Sequence, residues 1–188
     1  MRPTRALVTT ALSAGTLALG VMVAPPAGAS TDDDSSAGGT TTVVLDPDLV
    51  PVLVEDLGVE TLGDAELSAP DGAAQVSFPI TEIEGDGEIE HSGGLAFTTL
   101  DGGSLEIREF EISVDEAILE AEATLDGEEL DGEVDVFNLV EAEAIDGAVP
   151  SCDGVQAGLT LTAAAAEALG APDFADVFVG DACVVPES

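Results

Sequence analysis

Histidine is the side chain best suited to change charge or hold a metal near neutral pH. This chain has one, His91. It stands in Glu88-Ile89-Glu90-His91-Ser92-Gly93-Gly94-Leu95-Ala96-Phe97, where apolar residues alternate on both sides and a Gly-Gly pair follows closely. Three chemistries are open to it: ligand of a haem or metal, general base, or structural hydrogen-bonding partner. A catalytic triad needs a positioned nucleophile and an orienting carboxylate. Ser92 is adjacent, so on a strand it points to the opposite face. No Gly-x-Ser-x-Gly occurs. With no partner group in view, the structural reading comes first, ligand binding second and catalysis last, and the chain is expected not to be an enzyme.

Carboxylates are the other chemically capable groups, 39 of them. The densest run is Asp126-Gly127-Glu128-Glu129-Leu130-Asp131-Gly132-Glu133-Val134-Asp135. Asp126, Glu128, Asp131 and Asp135 are the candidate ligands for Ca²⁺, a hard cation that prefers oxygen donors. Their spacing departs from the EF-hand loop, and a solvated acidic hairpin is the competing reading. Sugar-cleaving carboxylate pairs cannot be singled out, and the chain has no Trp or Tyr to form a platform. Cys152 and Cys183 are the only cysteines. In an exported chain two cysteines pair as a disulfide.

Export is read from the first residues. Arg2 and Arg5 precede an apolar run ending at Pro25-Pro26, and Ala27-Gly28-Ala29 is a small-x-small cleavage site. Residues 1–29 therefore read as a secretory signal peptide. Residues 30–40 read as a flexible acidic leader and 41–188 as one β-rich domain. After cleavage the only cation is Arg108, expected to pair with Glu106 or Glu109. Such a surface repels nucleic acid and anionic lipid, and attracts cations or basic partners. No segment after the signal is long and apolar enough for a membrane helix.

The elements that must position these groups are mostly strands. Val43 to Leu45, Val76-Phe78-Ile80, Leu105-Ile107, Phe110-Ile112-Val114 and Val155 to Leu161 carry β-branched or alternating apolar residues. The parity of the apolar set changes near Arg108-Glu109, which predicts a bulge or bend. Gly93-Gly94 predicts a bulge or a close backbone approach. Asp101-Gly102, Asp126-Gly127 and Asp131-Gly132 read as turns. Asp46-Pro47 reads as the start of a short helix ended by Gly58. Thr162 reads as the cap of an alanine helix ended by Gly170. Val177 to Val179 and Ala182 to Val185 read as two closing strands. Short strands and frequent turns predict a single antiparallel β-sandwich or barrel-like domain with short helices near each end.

Three stretches resemble the HtaA-type domain, a secreted actinobacterial module associated with haem uptake. They are Val76-Ser77-Phe78-Pro79-Ile80, Gly87-Glu88-Ile89-Glu90-His91-Ser92-Gly93-Gly94-Leu95, and Gly158-Leu159-Thr160-Leu161-Thr162-Ala163-Ala164-Ala165. With the long strand from Leu105 to Val114, the resemblance spans 75–185. It implies a β-rich fold carrying haem, with a tyrosine on the iron and a histidine, here His91, as its partner. This chain contains no Tyr.

The expected function is thus a secreted, highly acidic, non-enzymatic binding or structural module of the cell envelope or exterior, with a cationic partner as one option. Haem binding through His91 and calcium-dependent surface adhesion are the alternatives, and neither haem nor Ca²⁺ is settled as a cofactor.

Overall fold

The computed structural model describes residues 38–85, 87–145 and 147–187. The expected signal peptide (1–29) and the expected leader as far as residue 37 lie outside them.

Alternation becomes a closed sheet. The strands are β1 (Gly39–Leu45), β2 (Glu60–Leu62), β3 (Glu66–Ser68), β4 (Gln75–Ile83), β5 (Glu88–His91), β6 (Gly94–Thr98), β7 (Ser104–Ser113), β8 (Ile118–Leu125), β9 (Glu128–Val140), β10 (Val155–Leu161) and β11 (Phe178–Pro186). Pairing runs β7-β5-β4-β1-β11-β10-β9-β8 and returns from β8 to β7. Of the sandwich and barrel expected, the structure is a barrel, antiparallel throughout. β2, β3 and β6 are additions: β6 pairs the first half of β7 and β2, and β3 pairs β4. Closure leaves the barrel without free edges, which removes an aggregation hazard.

The interior holds the core. Val43, Val76, Phe78, Ile112, Leu159 and Ala182 are among its buried residues. Phe78 and Phe110 meet edge to face, with ring centroids 4.8 Å apart. The predicted phase change is a bulge. Arg108 pairs Glu122 and Glu111 pairs Glu120, so Glu109 and Phe110 together face one residue of β8. Glu109 takes φ +50°. This turns Phe110 and Ile112 inward behind Leu105 and Ile107, which point inward from the other parity.

Helical structure is brief. The segment that Asp46-Pro47 opens becomes a π-helical turn, Val52–Asp56, with Gly58 at φ +53° just beyond it. α1 (Ala163–Ala168) is capped by Thr162, whose hydroxyl accepts from Ala165 N–H at 3.1 Å. Gly170 follows at φ +70°, as the cap chemistry predicts.

Three expectations change. Val177 to Val185 is not a strand pair: β11 runs unbroken from Phe178, because β1 and β10 hold it from both sides. Asp131-Gly132 is not a turn but an irregularity within β9, where the register against β8 shifts between Glu122 and Thr124. The leader gives way to β1 at Gly39, earlier than residue 41.

The disulfide is present. Cys152 and Cys183 are bonded, Cα to Cα 5.6 Å, tying the segment before β10 to β11.

Candidate functional site

β5 alternates Ile89 inward, Glu90 outward and His91 inward, so the imidazole enters the barrel and is only 3% exposed. Two groups meet it there. Its Nδ1 lies 2.9 Å from the carbonyl oxygen of Phe110. A carbonyl only accepts, so Nδ1 carries the proton. Its Nε2 lies 2.7 Å from Thr41 Oγ1. In the neutral ring Nε2 accepts, so the Thr41 hydroxyl donates. Burial holds the imidazole below its ordinary pKa of 6.5, against the backbone hydrogen bonds of Phe110 and Ile89, which act upward. His91 is therefore a neutral, fully bonded group that pins β5 to β7 and, past β4, to β1.

Two backbone devices make this arrangement. The β7 bulge brings the Phe110 carbonyl to the imidazole. Gly93, at φ +92°, allows Ala65 to approach, since a Cβ there would come within 2.6 Å of its nitrogen. Gly94 packs directly against the Ile107 carbonyl. The expected close approach at Gly93-Gly94 is what ends β5 and lets β6 diverge from it. Ser92 remains half-buried, off the inward parity.

Thr41 is the site residue that sequence reasoning missed. A signal was there: Thr41, Val43 and Leu45 share one parity of β1, and a hydroxyl on a buried parity needs a partner.

Around this pair lies an apolar cavity of about 70 Å³. Four of the chain's six Phe residues, 78, 97, 110 and 137, line it. Its wall reaches Leu53 of the π-helical turn, Val59 and Leu95, all half-buried. Apart from the His91–Thr41 pair, the lining is hydrocarbon.

The acidic candidates do not converge. Asp126 turns its Oδ1 to Ser104 N–H at 2.9 Å. Glu128, Asp131 and Asp135 are spread along β9, and an extended chain separates residues by about 3.3 Å each. Among the described residues no group of three or more His, Cys, Asp or Glu could hold a metal ion. The structure therefore lends no support to a calcium site at Asp126, Glu128, Asp131 and Asp135.

Instead, the outer face carries a row of acids. Glu82 pairs Glu90, Glu90 pairs Glu111, Glu111 pairs Glu120 and Glu120 pairs Asp135 across five neighbouring strands. Partial burial, then repulsion from Glu133, Glu88, Glu120 and Glu90, pushes the Glu111 carboxyl up. Glu120 moves the same way, through burial and its contact with Asp135. Arg108 is held by Glu106 at 2.9 Å.

The result is a closed barrel with an apolar-lined interior and one imidazole in its wall. No family model matches this chain, and no curated protein matches its sequence. Among solved structures it is similar to the haem-binding protein HtaB of Corynebacterium glutamicum, with TM-score 0.53 and 13% identity over 81% of this chain and 96% of that one. The C-terminal domain of HtaA from the same organism aligns with TM-score 0.45 and 15% identity, over 79% and 99%. The HtaB likeness bears out the HtaA-type resemblance as a fold.

Haem itself can be tested against the residues present. Iron needs a donor with a free lone pair. The chain has no Tyr, the Nε2 lone pair is engaged by Thr41, and Arg108, the one cation of the described residues, is paired with Glu106. These groups do not fit an iron-ligated haem.

Proposed function

We propose that this chain is an exported, envelope-associated, non-enzymatic binding module of the haem-uptake kind, whose ligand is held by apolar contact at the barrel end near Leu53, Val59 and Leu95. The observation that carries the reading is the hydrocarbon-lined interior within a fold shared with a haem-binding protein. The signal-peptide pattern supports export. Among the described residues no helix is long and apolar enough to cross a membrane.

Haem is the first ligand to test, because HtaB binds it. The donor set argues that a porphyrin here is gripped through its apolar faces. Titrating the mature chain with hemin and with metal-free protoporphyrin separates the two modes. Saturable absorbance shifts with both, retained in His91→Ala, are expected. A shift with hemin alone, lost in His91→Ala, would mean that His91 reaches the iron. No shift with either removes porphyrins as ligands.

A further inference from the structure

β1, β10 and β11 stand apart from the rest of the barrel in charge. In a chain with 39 carboxylates, these three strands carry a single titratable side chain besides the bonded Cys183, and it is Asp181. Asp181 is 1% exposed. In register it stands between Gly158 of β10 and Val44 of β1. The segment 141–149, which leaves β9, crosses this place. Gly158 makes room for it, because a Cβ there would come within 2.7 Å of the Glu141 carbonyl oxygen. Two residues on, Glu143 N–H donates to Asp181 Oδ1 at 3.1 Å. Asp181 Oδ2 has no partner among the described residues.

The segment itself is lightly held. None of its described residues is buried. Ile145 N–H donates to the Ala148 carbonyl at 3.0 Å and Ala148 N–H to the Ile145 carbonyl at 3.1 Å, so these bonds stay within it. Among the described residues, Glu143 to Asp181 is the one hydrogen bond from 141–149 to the barrel wall. Both ends are firmer. β9 pairs β10 as far as Val140. Beyond the segment, the Pro150 carbonyl accepts from Gln156 Nε2 at 3.1 Å, and Cys152 is bonded to Cys183. An exposed stretch between firm anchors opens locally and leaves the anchors folded.

Charge sets the direction. A buried carboxylate oxygen without a partner costs far more ionised than protonated. The described acids of the segment are Glu141 and Glu143, β1 and β10 supply none, and the one cation, Arg108, is paired with Glu106 on β7. Burial acts most strongly on the Asp181 carboxyl and raises its pKa; the Glu143 N–H acts downward and the Glu143 carboxylate upward, leaving it above 3.8. A closed state that holds a proton more tightly than the open one is weakened when that proton leaves.

We propose that 141–149 is an acid-closed strap, which lies on Asp181 while that carboxyl is protonated and lifts from β10 and β11 once it ionises, with the barrel intact. Leu159 and Ala182, next in sequence to Gly158 and Asp181, line the cavity beside His91, so the strap lies over one wall of the apolar interior. The device concerns the outside of the barrel and goes beyond the ligand reading.

The test follows the mature chain by NMR across pH 3.5–8. The Asp181 ¹³Cγ signal reads ionisation. Hydrogen exchange of the Glu143 amide, corrected for the intrinsic rate at each pH, reads the strap, and the β10 and β11 amides read the barrel. Protection at Glu143 is expected to fall about tenfold per pH unit above 3.8 and to level off where the Asp181 titration ends, while the β10 and β11 amides keep theirs. Asp181→Asn, neutral and still an acceptor for Glu143 N–H, should hold the strap closed throughout. Glu143→Pro removes that N–H. A freed strap lets water reach Asp181 and moves its titration down toward 3.8, the expected result; a strap that stays in place without the bond moves it up. Protection at Glu143 that does not change with pH, the same fall in Asp181→Asn, an equal loss at the β10 and β11 amides, or an upward move in Glu143→Pro each overturns the inference.

Discussion

Replacing Thr41 by Val examines the pair at the centre of the site. Valine keeps the shape of threonine and removes the hydroxyl that donates to His91 Nε2 at 2.7 Å. Both residues are 3% exposed or less, so water cannot substitute freely. A buried acceptor left without a donor costs about 1–3 kcal/mol. The new methyl, packed in a hydrocarbon wall, recovers about 0.8 kcal/mol. The net expectation is a loss of about 0.2–2 kcal/mol, or roughly 0.5–8 °C in melting temperature for a domain of this size. The double variant Thr41→Val, His91→Leu removes both partners, so it should be less destabilised than the sum of its single variants.

Because His91 is the only histidine, its ring gives a single set of imidazole ¹⁵N resonances. They should report the Nδ1–H tautomer and an imidazole that takes up its proton at a pH below the ordinary 6.5. The sign follows. A folded pKa below 6.5 means that the unfolded chain takes up the proton first as pH falls. The contribution of His91 to stability is therefore complete above pH 6.5 and is lost as pH drops toward its folded pKa. Equal melting of Thr41→Val and wild type, an Nε2–H tautomer, or ordinary titration near 6.5 would refute this account.

Three other outcomes follow from the same geometry. Glu111→Gln removes one charge from the five-strand acidic row and should stabilise by about 0.5–1 kcal/mol at low salt, an advantage that disappears in 1 M NaCl; a lower melting temperature would contradict it, and Ca²⁺ should stabilise no more than Mg²⁺. Asp181 is 1% exposed; its Oδ1 accepts from Glu143 N–H at 3.1 Å and its Oδ2 has no partner among the described residues. Burial is the main force raising its pKa above 3.8, so its stabilising effect is full below that pH and lost as pH rises through the folded pKa. Asp181→Asn should melt more than about 2 °C higher at pH 7 and show a flatter pH dependence, checked by thermal melts across pH 3.5–8. Replacing both Cys152 and Cys183 by Ser opens a link across a sequence separation of 31, and should cost about 3–4 kcal/mol in denaturant unfolding without changing the strand content seen by circular dichroism.

Much of this molecule is legible in the sequence, because the signals are local. Alternation marks which side of β4 and β7 is buried. Thr162 and Gly170 delimit α1 through cap chemistry that needs only nearby residues. The parity slip at Arg108-Glu109 announces the bulge that later receives His91. Two cysteines leave one pairing.

What stayed hidden depends on register and closure, which join residues far apart in the chain. Nothing near Thr41 says that an imidazole fifty positions away will accept its hydrogen bond. β11 looks divisible until β1 and β10 hold it on both sides. The acids of 126–135 look like a cation site until an extended strand spreads them and aligns Asp135 with Glu120. The sequence by itself determined a β-rich, acidic domain with one imidazole. Only the tertiary structure decided that this imidazole is bonded at both nitrogens, and that the space beside it is narrow and hydrocarbon-lined, because the sum of the strand registers sets both the partner and the bore of the barrel.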